Sequence, residues 1–457
     1  MRQNIRKALI AGVAFAAPAL GLAQPAPAAE LPKATQALLA KHKLDAAVLK
    51  GLDEELKMPS EWIEGAKKEE ELRVGGTWDD NQFQAMTAPF LERYPFVKLK
   101  YARATRYDRV IKPLIAYQAG RIMTDVISGV GAKFKEFMRL NAIEDLRVLP
   151  NWKNVPDGMK QAEGGWVGQR LRYWCTSYNT NAVKKEDLPK TWDDLVTNPR
   201  WHNAKIGLGN RPNLWLLQLW GMNGEAWAKD YARKILFTVK PQLRKEGMNA
   251  LIGLVIAGEF DMAIPSAAYR TGQMVQKGAP VAWHCPEPVP MAISEMTMIR
   301  GSDRRNSALM FINWFLSKEG QVAQYAANLA PPVHKDLQTK EFLMFPDQIV
   351  GRKIAFRDPT AMEEELPVLM KYWDPLWMSA TGAKIVSVKT TIDKIIRGGR
   401  QVAFKSGNET HTVSISGSRT KLSIAGKTVA RKELKAGLSC QITYPGDKEE
   451  AKEIVCN

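Results

Sequence analysis

Histidine and cysteine are scarce: five and four among 457 residues. The histidines, His42, His202, His284, His334 and His411, are never spaced as ligand pairs, and no C-x-x-C, H-E-x-x-H, G-x-S-x-G or Walker A string occurs. Gly207-Leu208-Gly209-Asn210-Arg211-Pro212 lacks the third glycine of a dinucleotide fingerprint. These absences argue against a structural zinc site, a thioredoxin-like centre, a zinc peptidase, a hydrolase elbow and a nucleotide-binding loop. The cluster His284, Cys285 and Glu287 alternates across a strand end, so it is expected to be structural. The sequence therefore reads as a non-enzyme with no cofactor and no metal site.

Long apolar runs are equally rare. The run from Ala8 to Ala23 is interrupted by Pro18 and is shorter than the roughly 20 residues needed to span a membrane. Arg2, Arg6 and Lys7 precede it, and Gly21, Ala23, Ala26, Ala28 and Ala29 follow, the layout of a secretory signal cleaved after Ala23 or Ala28. Residues 1–28 are expected to be removed, leaving a soluble protein in the periplasm. In that oxidising compartment Cys175, Cys285, Cys440 and Cys456 permit three pairings. Cys440 with Cys456 closes a short loop, a bridge contributing about 3 kcal/mol, and is the expected pair.

What is plentiful is positive charge: 65 basic against 48 acidic side chains, a net +17. Its placement decides its meaning. Three of the charges sit in the signal, and residues 384–457 hold fourteen basic and seven acidic residues. Elsewhere the basic residues are interspersed with acids, so no nucleic-acid partner is expected. With 45% hydrophobic and 25% charged residues the chain is ordinary globular material, too long for one core.

Residues 29–60 read as a helical extension. From Leu72 the texture becomes strand, helix, strand, helix, strand: Leu72 to Trp78, where the strand runs into a glycine-containing loop, then Asn81 to Tyr94, Val97 to Tyr101, Tyr107 to Tyr117 and Thr124 to Ser128. A second α/β unit follows, with strands at Lys205 to Gly209, Phe260 to Pro265, Pro280 to His284 and Glu295 to Ile299. Asn306 to Ala327 reads as one amphipathic helix. Residues 384–457 form short alternating runs separated by Gly417, Gly426, Gly437 and Gly446, a small all-β module of the OB type, with only Arg431 to Lys435 helical.

Glu61-Trp62-Ile63-Glu64-Gly65-Ala66-Lys67-Lys68-Glu69, Ser177-Tyr178-Asn179-Thr180, Leu188-Pro189-Lys190-Thr191-Trp192-Asp193-Asp194-Leu195 and Asn198-Pro199-Arg200-Trp201 stand in that order. Lys277-Gly278-Ala279-Pro280-Val281 and Phe315-Leu316-Ser317-Lys318-Glu319-Gly320-Gln321 follow them. This series resembles the extracellular solute-binding proteins of ABC importers, in the group of ferric-iron, thiamine and aminoethylphosphonate binders, over residues 60 to 380. The resemblance implies an α/β, bilobal, type II-like fold with two hinge crossings, near Trp174 to Thr180 and Cys285 to Ile299. It implies one lobe from residues 61–174 and 300–383, a second from 175–299, and a separate module from 384–457. It also implies that Cys175 and Cys285 approach each other, as a disulfide or as two buried thiols.

Ligands in open α/β sheets bind beyond the carboxyl ends of strands, beside helix N-termini. On that ground the expected ligand-binding residues are Thr77, Trp78, Arg103, Arg106, Ser128 and Gly129 from one lobe and Asn210, Arg211, Ser266, Tyr269 and Arg270 from the other. Four arginines there favour a small anionic solute, handed by a monomeric receptor to an inner-membrane ABC permease. Two alternatives remain: a ferric-iron receptor, disfavoured by Ala268-Tyr269-Arg270 where adjacent tyrosines would be wanted, and an adhesion or signalling protein acting through its β module.

Overall fold

A computed structural model of the chain describes residues 31–457 apart from 105, 106, 132, 383, 384 and 417–419. The expected signal at residues 1–28 lies outside the described residues, as does Arg106. The larger sheet comprises β1 (Glu71–Gly76), β2 (Lys98–Arg103), β3 (Val126–Ser128), β4 (Val167–Asn179), β5 (Ile206–Gly209), β6 (Gln242–Arg244), β7 (Met262–Ala267), β8 (Val281–His284), β9 (Val289–Met298) and β10 (Ile354–Phe356). Its order is β2-β1-β3-β9-β4-β7-β5-β6, with β10 on β9 and β8 on β4. Parallel β2-β1-β3 and parallel β7-β5-β6 are the sheets of two lobes. The antiparallel pair β4 and β9 joins them, from Val167 opposite Met296 to Tyr173 opposite Met291. The first crossing strand, β4, begins seven residues earlier than the expected Trp174 to Thr180, whereas the second, β9, lies inside the expected Cys285 to Ile299.

Each lobe is built as its residues require. Asp79 caps the helix Asp80–Arg93 reciprocally with Gln82, and Phe83, Met86 and Phe90 turn its buried stripe inward. A side chain at Gly76 would place its Cβ within 2.9 Å of Trp78 and Tyr101, so only glycine lets β1 pass these rings. Tryptophan dominates the core: Trp78, Trp166, Trp174, Trp192, Trp201, Trp215, Trp314 and Trp373 are all fully buried. Cys175 lies one register step past the Thr176–His284 pair and is bonded to Cys285, the pairing that had been left open.

The extension packs on the first lobe. Thr35, Arg93 and Trp314 all donate to the buried Glu319, at 2.6 to 2.9 Å, which satisfies a carboxylate that would otherwise be costly to bury. The expected single helix Asn306 to Ala327 is two, Arg305–Phe315 and Lys318–Asn328. Ser317 accepts a hydrogen bond from the Gly320 N–H and so starts a new helix where periodicity alone predicted continuation. Likewise Tyr107 to Tyr117 divides into a π-turn, Tyr107–Ile111, and the helix Lys112–Gln118, with Pro113 in its first turn.

The C-terminal module is all-β but has seven strands: β11 (Val386–Ile396), β12 (Gln401–Ser406), β13 (Glu409–Ser414), β14 (Lys421–Ile424), β15 (Lys427–Thr428), β16 (Ser439–Tyr444) and β17 (Glu453–Cys456), ordered β13-β12-β11-β16-β17-β14-β15. The expected helix at Arg431 to Lys435 is a single 3-10 turn, Arg431–Glu433. Cys440 and Cys456 face each other across β16 and β17, Cα atoms 4.0 Å apart, and are disulfide-bonded. The module rests on the second lobe through the Lys245–Glu449 ion pair.

Candidate functional site

Between the lobes lies a cavity of about 210 Å³ with four kinds of wall. The first lobe gives Thr77, Arg109 and the loop Gly129 to Gly131; the second gives Asn213, Leu214 and Gln218; the crossing strands give Arg172 and Ala292 to Glu295; and Pro359, Met362 and Leu366 complete it. Gly129 and Gly131 hold φ of +83° and +60°, a conformation that glycine adopts without strain. That turn brings the Gly131 N–H to Glu295 Oε1 and the Gly129 carbonyl to Arg109, which donates to it from Nε at 3.0 Å and from Nη2 at 2.9 Å.

The crossing strand β4 carries the electrostatic signature. Arg170 and Arg172, two residues apart, share one face of it. Arg170 is buried, donates to Thr77 Oγ1 at 3.0 Å, and lies 4.9 Å from the Trp78 ring centre. Burial pulls its guanidinium down to about 10, with Arg172 and Arg270 adding to the fall and Tyr269 opposing it. It stays charged at neutral pH, with no carboxylate in ion-pair contact among the described residues. Arg172 stacks on Trp174 at 5.5 Å, and its buried Nε has no partner among the described residues. Gln218 is fully buried, and neither of its amide atoms has a partner among the described residues. Buried polar groups are nearly always satisfied, so unpaired donors converging on one cavity mark a place prepared for a polar solute.

The structure distributes the expected residues unevenly. Thr77 and Gly129 line the cavity. Trp78 is core, serving as the floor under Arg170. Ser128 points into the sheet and accepts from Gln169 Nε2 at 2.6 Å. Ser266 joins Ser177 and Thr271 in a buried hydroxyl cluster. Arg103 and Arg270 both pair with Asp79, at 3.0 Å each, and Tyr269 is buried beside Arg270. Asn210 accepts from Trp373 Nε1 at 2.8 Å, and with Arg211 it lines a groove under the β module, away from the interlobe cavity.

Arg170, Arg172, Gln218, Ser294 and Glu295 were not singled out from the sequence. The available signal was two arginines at positions i and i+2, next to Gln169, inside the mostly apolar run Val167 to Cys175, which is unusual for a buried strand. His284 is structural, its Nε2 at 2.6 Å from the Pro189 carbonyl. Among the described residues Glu55, His334 and Asp336 come close enough together to ligate a metal. The Lys318 ammonium already stands there, 3.0 Å from Asp336 and 3.6 Å from Glu55, and supplies the positive charge.

Residues 122–348 match the family model of bacterial extracellular solute-binding proteins. The chain is similar to iron uptake protein A1 of Synechocystis, 26% identical over 199 residues, which cover 39% of this chain and 53% of the relative. It thus spans about half the length of that curated relative. Among solved structures it is similar to iron-bound HitA of Pseudomonas aeruginosa, with a TM-score of 0.56 and 17% identity over 67% of this chain and 99% of that one. Trichodesmium IdiA (FutA) in complex with iron and citrate gives a TM-score of 0.54 and 18% identity over the same shares, 67% and 99%. These likenesses carry the two-lobed fold. The segment 122–348 is thus that of a bacterial extracellular solute-binding protein, and the solved structures give the two-lobed fold around it.

Proposed function

We propose that the protein is a periplasmic receptor that closes its lobes on a small anionic solute and delivers it to an ABC permease. The division into a lobe of residues 61–174 and 300–383, a lobe of 175–299 and a module of 384–457 belongs to the same proposal. One observation carries the charge of the solute: Arg172 lines the cavity with its Nε unpartnered, while Arg170, also without a carboxylate, stands behind Thr77. The buried Arg170 and the partly exposed Arg172 repel each other, and an anion between the lobes relieves that repulsion. A charge-assisted hydrogen bond contributes about 1.5–3 kcal/mol and a micromolar complex needs about 8 kcal/mol, so Arg172, Thr77, Ser294 and Gln218 acting together suffice. Closure follows because the solute touches both lobes only when they are shut.

The names of the relatives speak of iron. A bare ferric ion wants several anionic oxygens. Among the described residues the cavity offers one carboxylate, Glu295, and no tyrosine, while Tyr269 stands beside Arg270. An anionic solute fits this lining better than a cation does. A thermal-shift screen of the wild-type protein with phosphate, methylphosphonate, short carboxylates, ferric citrate and ferric chloride tests the reading. A solute at a hundred times its Kd raises stability by about 2.7 kcal/mol. Stabilisation by ferric chloride alone, with every simple anion silent, would overturn it.

A further inference from the structure

The cavity has one wall that neither lobe's sheet supplies. After β10 the chain passes Pro359 and enters the helix Met362–Ala380, whose first two turns set Met362 and Leu366 against the cavity. This helix is fastened on both sides of the cleft. Toward the first lobe, the Lys135 N–H donates to Glu363 Oε2 at 2.7 Å, the Lys135 ammonium pairs with Glu364, and Trp166 Nε1 donates to Thr360 Oγ1 at 3.1 Å. Toward the second, Tyr372 donates to the Lys229 carbonyl at 3.1 Å and Trp373 Nε1 to Asn210 Oδ1 at 2.8 Å. Trp373 and Trp377 are buried along the same side. A helix held by both lobes cannot follow one of them without losing contacts to the other.

We infer that the helix Met362–Ala380 is a strap that sets the size limit of the solute, with Met362 and Leu366 as the specificity-determining side chains. The inference rests on the anionic reading of the same cavity. Arg172, Gln218 and Glu295 form the polar wall, and Met362, Leu366 and Leu214 form an apolar one, so the fitting solute is a small anion with a short apolar body. A volume of about 210 Å³, about seven water volumes, holds a head group and a short chain. Each further methylene that found space would improve binding about fourfold, and each that met the strap would forfeit that gain and add a clash.

The test uses the full-length protein and a series of methyl-, propyl- and hexylphosphonate with acetate, butyrate and octanoate, followed by calorimetry. Wild type is expected to bind the short members and reject the long ones. Met362→Ala and Leu366→Ala, both at partly exposed positions and so expected to fold, should bind the long members at least tenfold tighter, while Leu366→Phe should lower the limit. An unchanged limit in all three variants, with short anions still bound, overturns the strap and leaves the anionic reading standing. Long members bound by wild type as tightly as short ones overturn it equally. If neither series binds any form, the anionic reading fails and the strap inference falls with it.

Discussion

Arg270 of the second lobe donates to Asp79 Oδ2 of the first at 3.0 Å, while Arg103 holds the other oxygen of that carboxylate at 3.0 Å. One aspartate therefore caps a helix and ties the lobes together. The two arginines are not equivalent: the Arg270 side chain is 12% exposed and that of Arg103 is 55% exposed. Arg270→Gln should loosen the closed state, seen as a larger radius of gyration in solution scattering. Arg103→Ala, at an exposed pair, should change stability by less than about 1 kcal/mol. Equal scattering from wild type and Arg270→Gln would show that this pair does not hold the lobes.

Gln218 is buried with neither amide atom bonded among the described residues. Gln218→Leu should therefore raise the stability of the solute-free protein by about 1–3 kcal/mol and weaken solute binding at the same time. A core residue kept only for packing would show no such opposition. Thermal melts with and without solute read both effects.

The Cys440–Cys456 bridge closes a loop of sequence separation 16. Replacing both cysteines with alanine should cost the β module about 3 kcal/mol. Its core is small, built around Ile392, Phe404, Ile442, Tyr444 and Ile454, so the module should melt first while the lobes keep their transition. Calorimetry would show a separate low-temperature peak, and solute binding in the cavity should persist. Loss of solute binding would place the module in the site.

Burial lowers the pKa of His284 from its ordinary value of 6.5, against a raising contribution from its hydrogen bond to the Pro189 carbonyl. His42 is lowered too, by burial and then by Lys41. Below pH 6.5 the unfolded chain takes up protons that the folded one refuses, so stability falls with pH from 6.5 down to the lowered folded values and is level above 6.5. His284→Asn should flatten part of this slope. Denaturant midpoints measured from pH 7.5 to 5 check the sign, and a rising midpoint on acidification would refute it.

Much of this architecture was legible because it rests on local chemistry. Alternation of strand and helix patterns showed the α/β lobes, and turn glycines showed the β module. The site was harder. The strand-end rule points to Thr77 and Gly129, which line the interlobe cavity because they follow β1 and β3. The same rule points to Asn210 and Arg211, which line a different groove because the helix Met362–Ala380 and the β module cover the end of β5, and that packing leaves no trace near residue 210. It passed over Arg172 and Gln218, whose meaning lies in partners they lack, a property of the assembled fold alone.

The charge of the solute is the central claim, and Arg172 tests it most directly. Titration calorimetry of wild type and Arg172→Met against phosphate, methylphosphonate, acetate, citrate and ferric chloride separates the possibilities. The account predicts micromolar binding of at least one anion by wild type. Arg172→Met should lose tenfold or more, with a solute-free melting temperature unchanged or higher because a buried Nε without a partner among the described residues has been removed. Equal anion affinity in the two proteins, or heat from ferric chloride alone, would contradict it.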